Sequence, residues 1–285
     1  MHPSHVPIDA GILRTLYVEQ ELTTLEIAAQ LGCGATTISR RLKRFRIPVR
    51  PRGSRPQGRL QGEVPGRAGW SSELAYAVGL IATDGNLSPD GRHLAIPSKD
   101  LQLLESLRCC LRLENRIVRR VNGRGHIYRL QWGDRRFYDW LLSIGLTPAK
   151  SLTLGQLAVP DDYFADFFRG CVDGDGTILV YTDRFHATKN VSYVYERLYV
   201  SLVSGSRPFL SWIQGTIHRL LGVGGAINEH RRPSRRSTYA LRYAKGESIR
   251  LLTWMYRAPD APCLVRKRNK AVPFLPATTI CRKSQ

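Results

Sequence analysis

Two aspartates in this chain stand where they could hold a metal ion. Asp84 closes the stretch "AYAVGLIATDG" and Asp175 closes "DFFRGCVDGDG"; each lies five residues after a glycine, Gly79 or Gly170, and each is followed at once by another glycine. The copies are 91 residues apart, longer than a solenoid period, so the pattern is a domain-scale duplication. The apolar residues before each Asp-Gly fit a helix. Ser71 or Ser72 can cap one running through Leu74, Ala77, Leu80 and Ile81, and Asp162 precedes another through Phe164, Phe167, Phe168 and Val172. A glycine inside a helix costs about 1 kcal/mol relative to alanine, and the usual reason for keeping it is close approach of two helix backbones. Helices packed through Gly79 and Gly170 bring Asp84 and Asp175 side by side at their C-terminal ends. There the helix dipole and mutual repulsion both disfavour negative charge. A divalent cation held by both carboxylates, with phosphate and water completing its shell, explains that arrangement.

Composition says what such a centre would act on. With 285 residues, 42% of them hydrophobic, the chain can fold into two or three compact units with real cores. Its 43 Lys and Arg against 23 Asp and Glu give a net charge of +20, which calls for a polyanionic partner. No apolar run approaches membrane-span length and "MHPSHVPIDAG" lacks a signal-peptide pattern. The expectation is nucleic acid rather than membrane, in the cytoplasm or, in a bacterium, on the nucleoid, with an organelle left open. Cys33, Cys109, Cys110, Cys171, Cys263 and Cys281 show neither zinc-site spacing nor disulfide density.

Residues 1–47 read as a small all-α unit. Thr23 and Glu26 form a capping box ahead of a helix whose apolar face is Leu25, Ile27, Ala28 and Leu31. Gly32 to Gly34 break it, and a second helix turns Ile38, Leu42 and Phe45 inward, leaving Thr36, Thr37, Ser39, Arg40, Arg41 and Lys43 on the outer side or flanks. With an earlier helix around Ile12, Leu13, Leu16 and Tyr17, this is the order of a DNA-binding helix-turn-helix. The alternative is a helical domain whose basic face is only solvated. Residues 48–69, "PVRPRGSRPQGRLQGEVPGRAG", are too poor in apolar residues for a core and read as a linker. Its Arg50, Arg52, Arg55, Arg59 and Arg67 suit either an arm along DNA or a tether that touches nothing specific.

Downstream of each motif the same order repeats. The first is followed by a strand near 93–97, a helix near 99–111, the hairpin "RIVRRVNGRGHIYRLQW" turning at Asn122-Gly123, and a helix from Asp134 to Ile144. The second is followed by a strand near 177–182, the alternating strand "SYVYERLYVSLV", a helix near 208–221, the hairpin "AINEHRRPSRRSTYALRY" and a helix near 247–256. In the alternating strand Tyr193, Tyr195, Arg197, Tyr199 and Ser201 share one face, open to solvent or DNA, and Val194, Leu198, Val200 and Leu202 share the buried one.

"AVGLIATDG" and "RGCVDGDG" resemble the two signature motifs of the LAGLIDADG homing endonucleases in their single-chain form. The resemblance covers roughly residues 70–285. It implies an α+β fold of two pseudo-symmetric αββαββα repeats, 70–157 and 158–285, forming a saddle over double-stranded DNA. It also implies a monomer acting as a pseudo-dimer and a double-strand break with short 3′ overhangs. By the same resemblance Asp84 and Asp175 hold Mg²⁺ or Mn²⁺, helped by the carbonyls of Thr83 and Gly174, while Ca²⁺ supports binding without cleavage. Lys150 in "GLTPAKSLTL" and Lys267 in "CLVRKRNK" are the candidates for basic residues that stabilise charge or orient water. In so basic a chain either lysine can equally be structural. Tyr195, Arg197 and Tyr199 on the strand, and Arg231, Arg232, Arg235 and Arg236 in the last hairpin, are the expected DNA contacts. The sixth motif position is Ala82 in the first copy and Asp173 in the second, a departure in copy one at a place that does not carry catalysis.

Two other readings share this pattern. One is a transcription regulator that keeps a degenerate endonuclease domain for DNA binding alone, against which the retained acid pair speaks. The other is an intron maturase whose saddle binds RNA, which a helix-turn-helix fits less well. The expectation is against an intein, since neither Met1 nor the end "CRKSQ" carries splicing-junction residues.

Overall fold

The computed structural model describes residues 8–20, 22–49, 69–123, 125–185, 192–232 and 235–276. The chain divides into two compact units, Met1–Gly58 and Arg59–Gln285.

The first unit holds three helices, α1 (Ala10–Arg14, continued by a wider turn over Thr15–Glu19), α2 (Thr24–Gln30) and α3 (Ala35–Arg44). The Thr23–Glu26 capping box forms, with Thr23 Oγ1 accepting from the Glu26 amide at 3.2 Å and Glu26 accepting from the Thr23 amide at 2.7 Å. Gly32, at φ +63°, makes the turn between α2 and α3 in the left-handed region that favours glycine. Leu13, Tyr17, Ile27, Ala28, Ile38 and Leu42 form the core. Leu25 is not part of it. At about 100° per residue it sits some 200° around α2 from Ile27, and it is 63% exposed. Ile12 is likewise exposed, because the buried stripe of the first helix runs from Leu13 to Tyr17.

The second unit is two αββαββα repeats. The first runs α4 (Ser72–Asp84), β1 (Asn86–Leu87), β2 (His93–Ser98), α5 (Leu101–Cys110), β3 (Ile117–Asn122), β4 (Gly125–Gly133) and α6 (Arg135–Ser143). The second runs α7 (Phe164–Asp175), β5 (Gly176–Asp183), β6 (Tyr195–Ser204), α8 (Arg207–Leu221), β7 (Ala226–Arg232), β8 (Arg235–Tyr243) and α9 (Lys245–Met255), and a further helix α10 (Val265–Ala271) follows. Each repeat forms an antiparallel four-stranded sheet with the same order, β1-β2-β4-β3 and β5-β6-β8-β7. The β3–β4 turn lies one residue later than the Asn-Gly pattern predicts, because Asn122 still pairs with Gly125. One face of each sheet is buried: Leu94, Ile96, Leu130 and Trp132 in the first, Ile178, Leu198, Val200, Leu202 and Leu241 in the second.

Ser71 caps α4, its hydroxyl accepting from the Leu74 amide at 3.1 Å, whereas Asp162 lies in a 3-10 turn and α7 begins after it at Phe164. The two motif helices meet backbone to backbone. A Cβ on Gly79 would stand 3.0 Å from the Gly170 Cα and 2.9 Å from the Cys171 nitrogen, and one on Gly170 would stand 3.1 Å from the Gly79 Cα. Neither position has room for a side chain, so both glycines repay their helix cost by letting α4 and α7 touch. Gly85 and Gly176 work differently: a Cβ there would collide with Ile81 or Val172 one turn back, so glycine lets the chain leave each helix sharply into its first strand.

Candidate metal centre and nucleic-acid interface

Asp84 and Asp175 are the last residues of α4 and α7, so the glycine contact five residues earlier brings the carboxylates together. A Cβ on Gly174 would lie only 3.0 Å from Asp84 Oδ2, which places the end of one motif helix against the acid of the other. Asp84 is half-buried and Asp175 more exposed. Loss of surrounding water and then repulsion from Asp175 push the Asp84 carboxyl from its ordinary 3.8 up to about 6, against the opposing pull of Lys267 and Lys150. Loss of water raises Asp175 as well, opposed by the same two lysines.

Both lysines are buried beneath the acids, each 5% exposed. Lys150 follows Ala149, a left-handed residue at φ +54°, and its ammonium donates to the Gly85 carbonyl. Lys267, on α10, donates to the carbonyls of Val172 at 2.7 Å, Asp173 at 2.8 Å, Gly174 at 3.2 Å and Gly176 at 2.7 Å. The two are therefore counterparts, each bonded to the carbonyl of the glycine after a motif aspartate, and each places a cation where the helix dipole is negative. Burial lowers the Lys150 ammonium to about 8 and lowers Lys267 too, with acids opposing the fall in both cases. Asp84, Asp175, Lys150 and Lys267 thus come together. Of the two carbonyls expected to reach the ion, those of Thr83 and Gly174, the Gly174 one already accepts from Lys267 at 3.2 Å; separately, the Thr83 hydroxyl donates to its own helix at the carbonyls of Gly79 and Leu80, 3.1 and 3.2 Å away.

Sequence reasoning missed a buried polar layer behind this centre. Arg169, with no exposed surface, donates to the carbonyls of Met255 at 2.6 Å and Pro262 at 2.8 Å and to Asp166 at 2.7 Å; Arg257 reaches the other Asp166 oxygen at 2.8 Å. Asp173 accepts from the Tyr76 hydroxyl at 2.9 Å and the Leu264 amide at 2.7 Å. A charged residue at an otherwise apolar helix position was the available signal. Among the described residues no group of three or more His, Cys, Asp or Glu could hold a metal. A cation here would rest on Asp84 and Asp175 with oxygen ligands from water or a phosphate, which suits Mg²⁺, and two crowded carboxyls both raised above their ordinary value are a donor set a divalent ion would relieve. The affinity of the protein for Ca²⁺ is therefore expected to fall by roughly tenfold between pH 7 and pH 5, as Asp84 takes up its proton. Titration calorimetry at the two pH values checks this, and an unchanged affinity would mean that Asp84 is not a ligand.

The open face of the second sheet carries the other predicted residues. Tyr195, Arg197 and Tyr199 alternate with buried Leu198 and Val200 along β6, whereas Val194, expected on the buried face, is exposed because it lies before the strand begins at Tyr195. Arg197 is tied to Asp183 at 3.0 Å with its guanidinium 5.4 Å from the Tyr195 ring, and Tyr181 stacks with Tyr199 at 6.4 Å. Arg242, which the sequence reading passed over, lies 3.7 Å over the Tyr199 ring. Its signal was the alternation Thr238, Ala240, Arg242 in β8. Arg231 is exposed and paired with Glu229 at 3.1 Å, while the side chains of Arg232, Arg235 and Arg236 lie outside the described residues. On α3, Thr36, Ser39, Arg40 and Lys43 are exposed and Thr37 is half-buried. Arg41 lies on the flank: it is half-buried and donates to the Ile8 carbonyl at 3.2 Å. Arg50, Arg52, Arg55, Arg59 and Arg67 lie outside the described residues.

Two αββαββα repeats joined through helices that touch at glycine and end in Asp-Gly decide the architecture. The second unit has the LAGLIDADG fold. No family model and no curated protein matches the chain. Among solved structures, the LAGLIDADG homing endonuclease I-LtrWI bound to target DNA is similar at 12% identity, over 71% of this chain and 88% of that one, with a TM-score of 0.46. Mesophilic variants of the homing endonuclease I-DmoI are similar at 16% identity, over 70% and 96%, with a TM-score of 0.45. Full-length DUF199/WhiA from Thermatoga maritima is similar at 11%, over 74% of this chain and 62% of that one, with a TM-score of 0.43. At such identities the likeness is one of fold alone.

Proposed function

We propose that the protein is a divalent-metal-dependent DNA endonuclease that cuts both strands of a long recognition site. The observation that carries this is the meeting of Asp84 and Asp175 at the ends of glycine-packed helices, with Lys150 and Lys267 buried beneath them. No structural role explains two acids crowded at two helix C-termini. A metal bound there would make water nucleophilic and neutralise charge on the phosphate and the leaving oxygen. The protein's own contribution is to hold the acids close and to offset part of their charge with two ammonium groups. Lys150, whose ammonium makes one hydrogen bond among the described residues, to the Gly85 carbonyl, keeps donors for water or a phosphate oxygen; Lys267, shared among four carbonyls, acts through its charge. The open sheet faces fit the major groove, and residues 1–47, through the exposed face of α3, add a second reader joined by residues 48–69.

Purified protein with Mg²⁺, incubated with DNA from its own genomic neighbourhood, is expected to yield a discrete double-strand break that EDTA prevents. Asp175→Asn is expected to leave binding intact and to stop that break, with nicking of one strand at most. Tight metal-independent binding with no cutting in Mg²⁺ or Mn²⁺ would sink the nuclease reading in favour of a binding-only factor. Preference for folded RNA over DNA would point to a maturase.

The tyrosine-braced arginines carry a separate expectation. Arg242→Ala and Arg197→Ala each relax discrimination at particular base pairs by roughly 1–3 kcal/mol, because a stacked or ion-paired guanidinium is a pre-oriented fork for guanine. Arg231→Ala only flattens the dependence of log affinity on log salt, by about 0.9 if its phosphate contact is lost. Competition binding on single-base variants of the target separates the two effects. A loss of sequence preference in Arg231→Ala with none in Arg242→Ala would turn the sheet away from the groove.

A further inference from the structure

The departure between the two motifs, Ala82 in α4 against Asp173 in α7, coincides with a difference in how the two lysines are delivered. Lys150 comes on a turn, with its own carbonyl accepting from Thr153 and Leu154 at 3.1 and 2.8 Å. Lys267 comes on α10, whose N-cap is Leu264. Asp173 is 1% exposed, and one of its oxygens takes both the Leu264 amide of α10 at 2.7 Å and the Tyr76 hydroxyl of α4 at 2.9 Å. Its other oxygen is buried with no partner among the described residues, an unfavourable state that a purely packing role would not retain. The Asp173 carbonyl meanwhile accepts from Lys267 itself. Three elements from both repeats thus converge on one side chain. On its outer side the start of α10 is also held to α5 and its N-cap, Arg266 to Asp100 at 2.7 Å and the Val265 amide to Gln102 at 3.0 Å, both exposed, and Gln102 donates to the Cys263 carbonyl at 2.8 Å; these lie one or two residues from Leu264, and none reaches the Asp173 side chain.

We infer that Asp173 is a positioning residue, latching the first turn of α10 to both motif helices and so setting the Lys267 ammonium against the end of α7. Its consequence for cutting rests on the endonuclease reading; its consequence for Lys267 does not. With no latch at Ala82, the two halves of the centre are unequal, and losing Asp173 harms one of them.

The test is amine labelling of the full chain under native conditions, mapped by mass spectrometry, with exposed Lys245 and buried Lys150 as internal references. Asp173→Ala is expected to speed labelling of Lys267 by about tenfold to a hundredfold, the range for losing a buried charge-assisted hydrogen bond, with Lys150 unchanged. Asp173→Asn, whose amide oxygen can still accept from both donors, is expected to restore protection. Unchanged Lys267 labelling in Asp173→Ala, or an equal rise at Lys150, overturns the latch. If Asp173→Ala does not fold, Tyr76→Phe removes one donor and is expected to give a smaller rise confined to Lys267; no rise there also overturns it. In the cleavage arm, Asp173→Ala is expected to accumulate nicked plasmid, one strand being cut about tenfold slower than the other. Equal slowing of both strands counts against the inference. A wild-type protein that cuts nothing sinks the endonuclease reading and leaves labelling to decide the latch.

Discussion

Asp84→Asn is expected to stop double-strand cleavage and, in the absence of metal at pH 7.5, to make the protein more stable. The first effect follows, under the proposed function, from removing a proposed metal ligand, a loss on the order of a thousandfold or more. The second follows from the direction of the Asp84 shift. Its carboxyl lies near 6 in the folded protein and 3.8 when free of its surroundings, so the folded state holds a proton between those values that the unfolded chain releases. The stability from that proton is fully present below pH 3.8 and is lost as pH rises through 6. At pH 7.5 the ionised acid is a net cost, at ~1.4 kcal/mol per pH unit an upper bound of ~3 kcal/mol, which partial exposure reduces to ~1–2 kcal/mol. The expected rise in melting temperature is ~2–6 °C for a chain of this size. It should shrink toward zero as pH falls to 4. Ca²⁺, which stabilises whatever state binds it, should raise the wild type more than the variant. Calorimetry at pH 7.5 and pH 4, with and without Ca²⁺, measures all three effects, and a variant less stable than the wild type in metal-free buffer at pH 7.5 contradicts the charge crowding on which the metal centre rests.

Gly170→Ala is expected to be strongly destabilising. Its Cβ would lie 3.0 Å from the Tyr76 carbonyl carbon and 3.1 Å from the Gly79 Cα, and its closest neighbour is the Tyr76 carbonyl oxygen. All are backbone atoms of the facing helix, so no rotamer change relieves the clash and α4 must move from α7. A cost of ~3–5 kcal/mol follows, at the upper end for overpacking, or ~6–20 °C in melting temperature. Gly215→Ala in α8 is the matched control: no atom lies within 4 Å of its added Cβ, and alanine is the better helix former by ~1 kcal/mol. Opposite signs at the two glycines, by thermal denaturation, are the expected result. Equal effects would mean that the helix contact does not hold the repeats together.

These glycines were legible in the sequence because a helix period and an Asp-Gly stop are local patterns, and their duplication marked the pair. The alternating β6 strand was legible for the same reason. Leu25 was misread because its apolar character outweighed its angle around α2, and β1, at two residues, is too short to have a period. The polar layer was out of reach. Tyr76 meets Asp173 across 97 residues and Leu264 meets it across 91, contacts that no local periodicity encodes. Lys150 and Lys267 could be picked out only as candidates, since nothing near either in the chain reveals that each ends on the carbonyl of the glycine following an aspartate.

The interval from the glycine contact to each acid is the same in both helices, five residues, and that interval acts as a gauge. One residue more or fewer would swing a carboxylate by about 100° and shift it by about 1.5 Å along its axis, out of step with its counterpart. Under the proposed function, the separation of the two cuts along a DNA duplex is therefore written in the helices and not in the sheets. Residues on the open sheet faces, such as Arg197 and Arg242, can change one at a time and move the protein to a new target, while the stagger of the break stays where the two glycines set it.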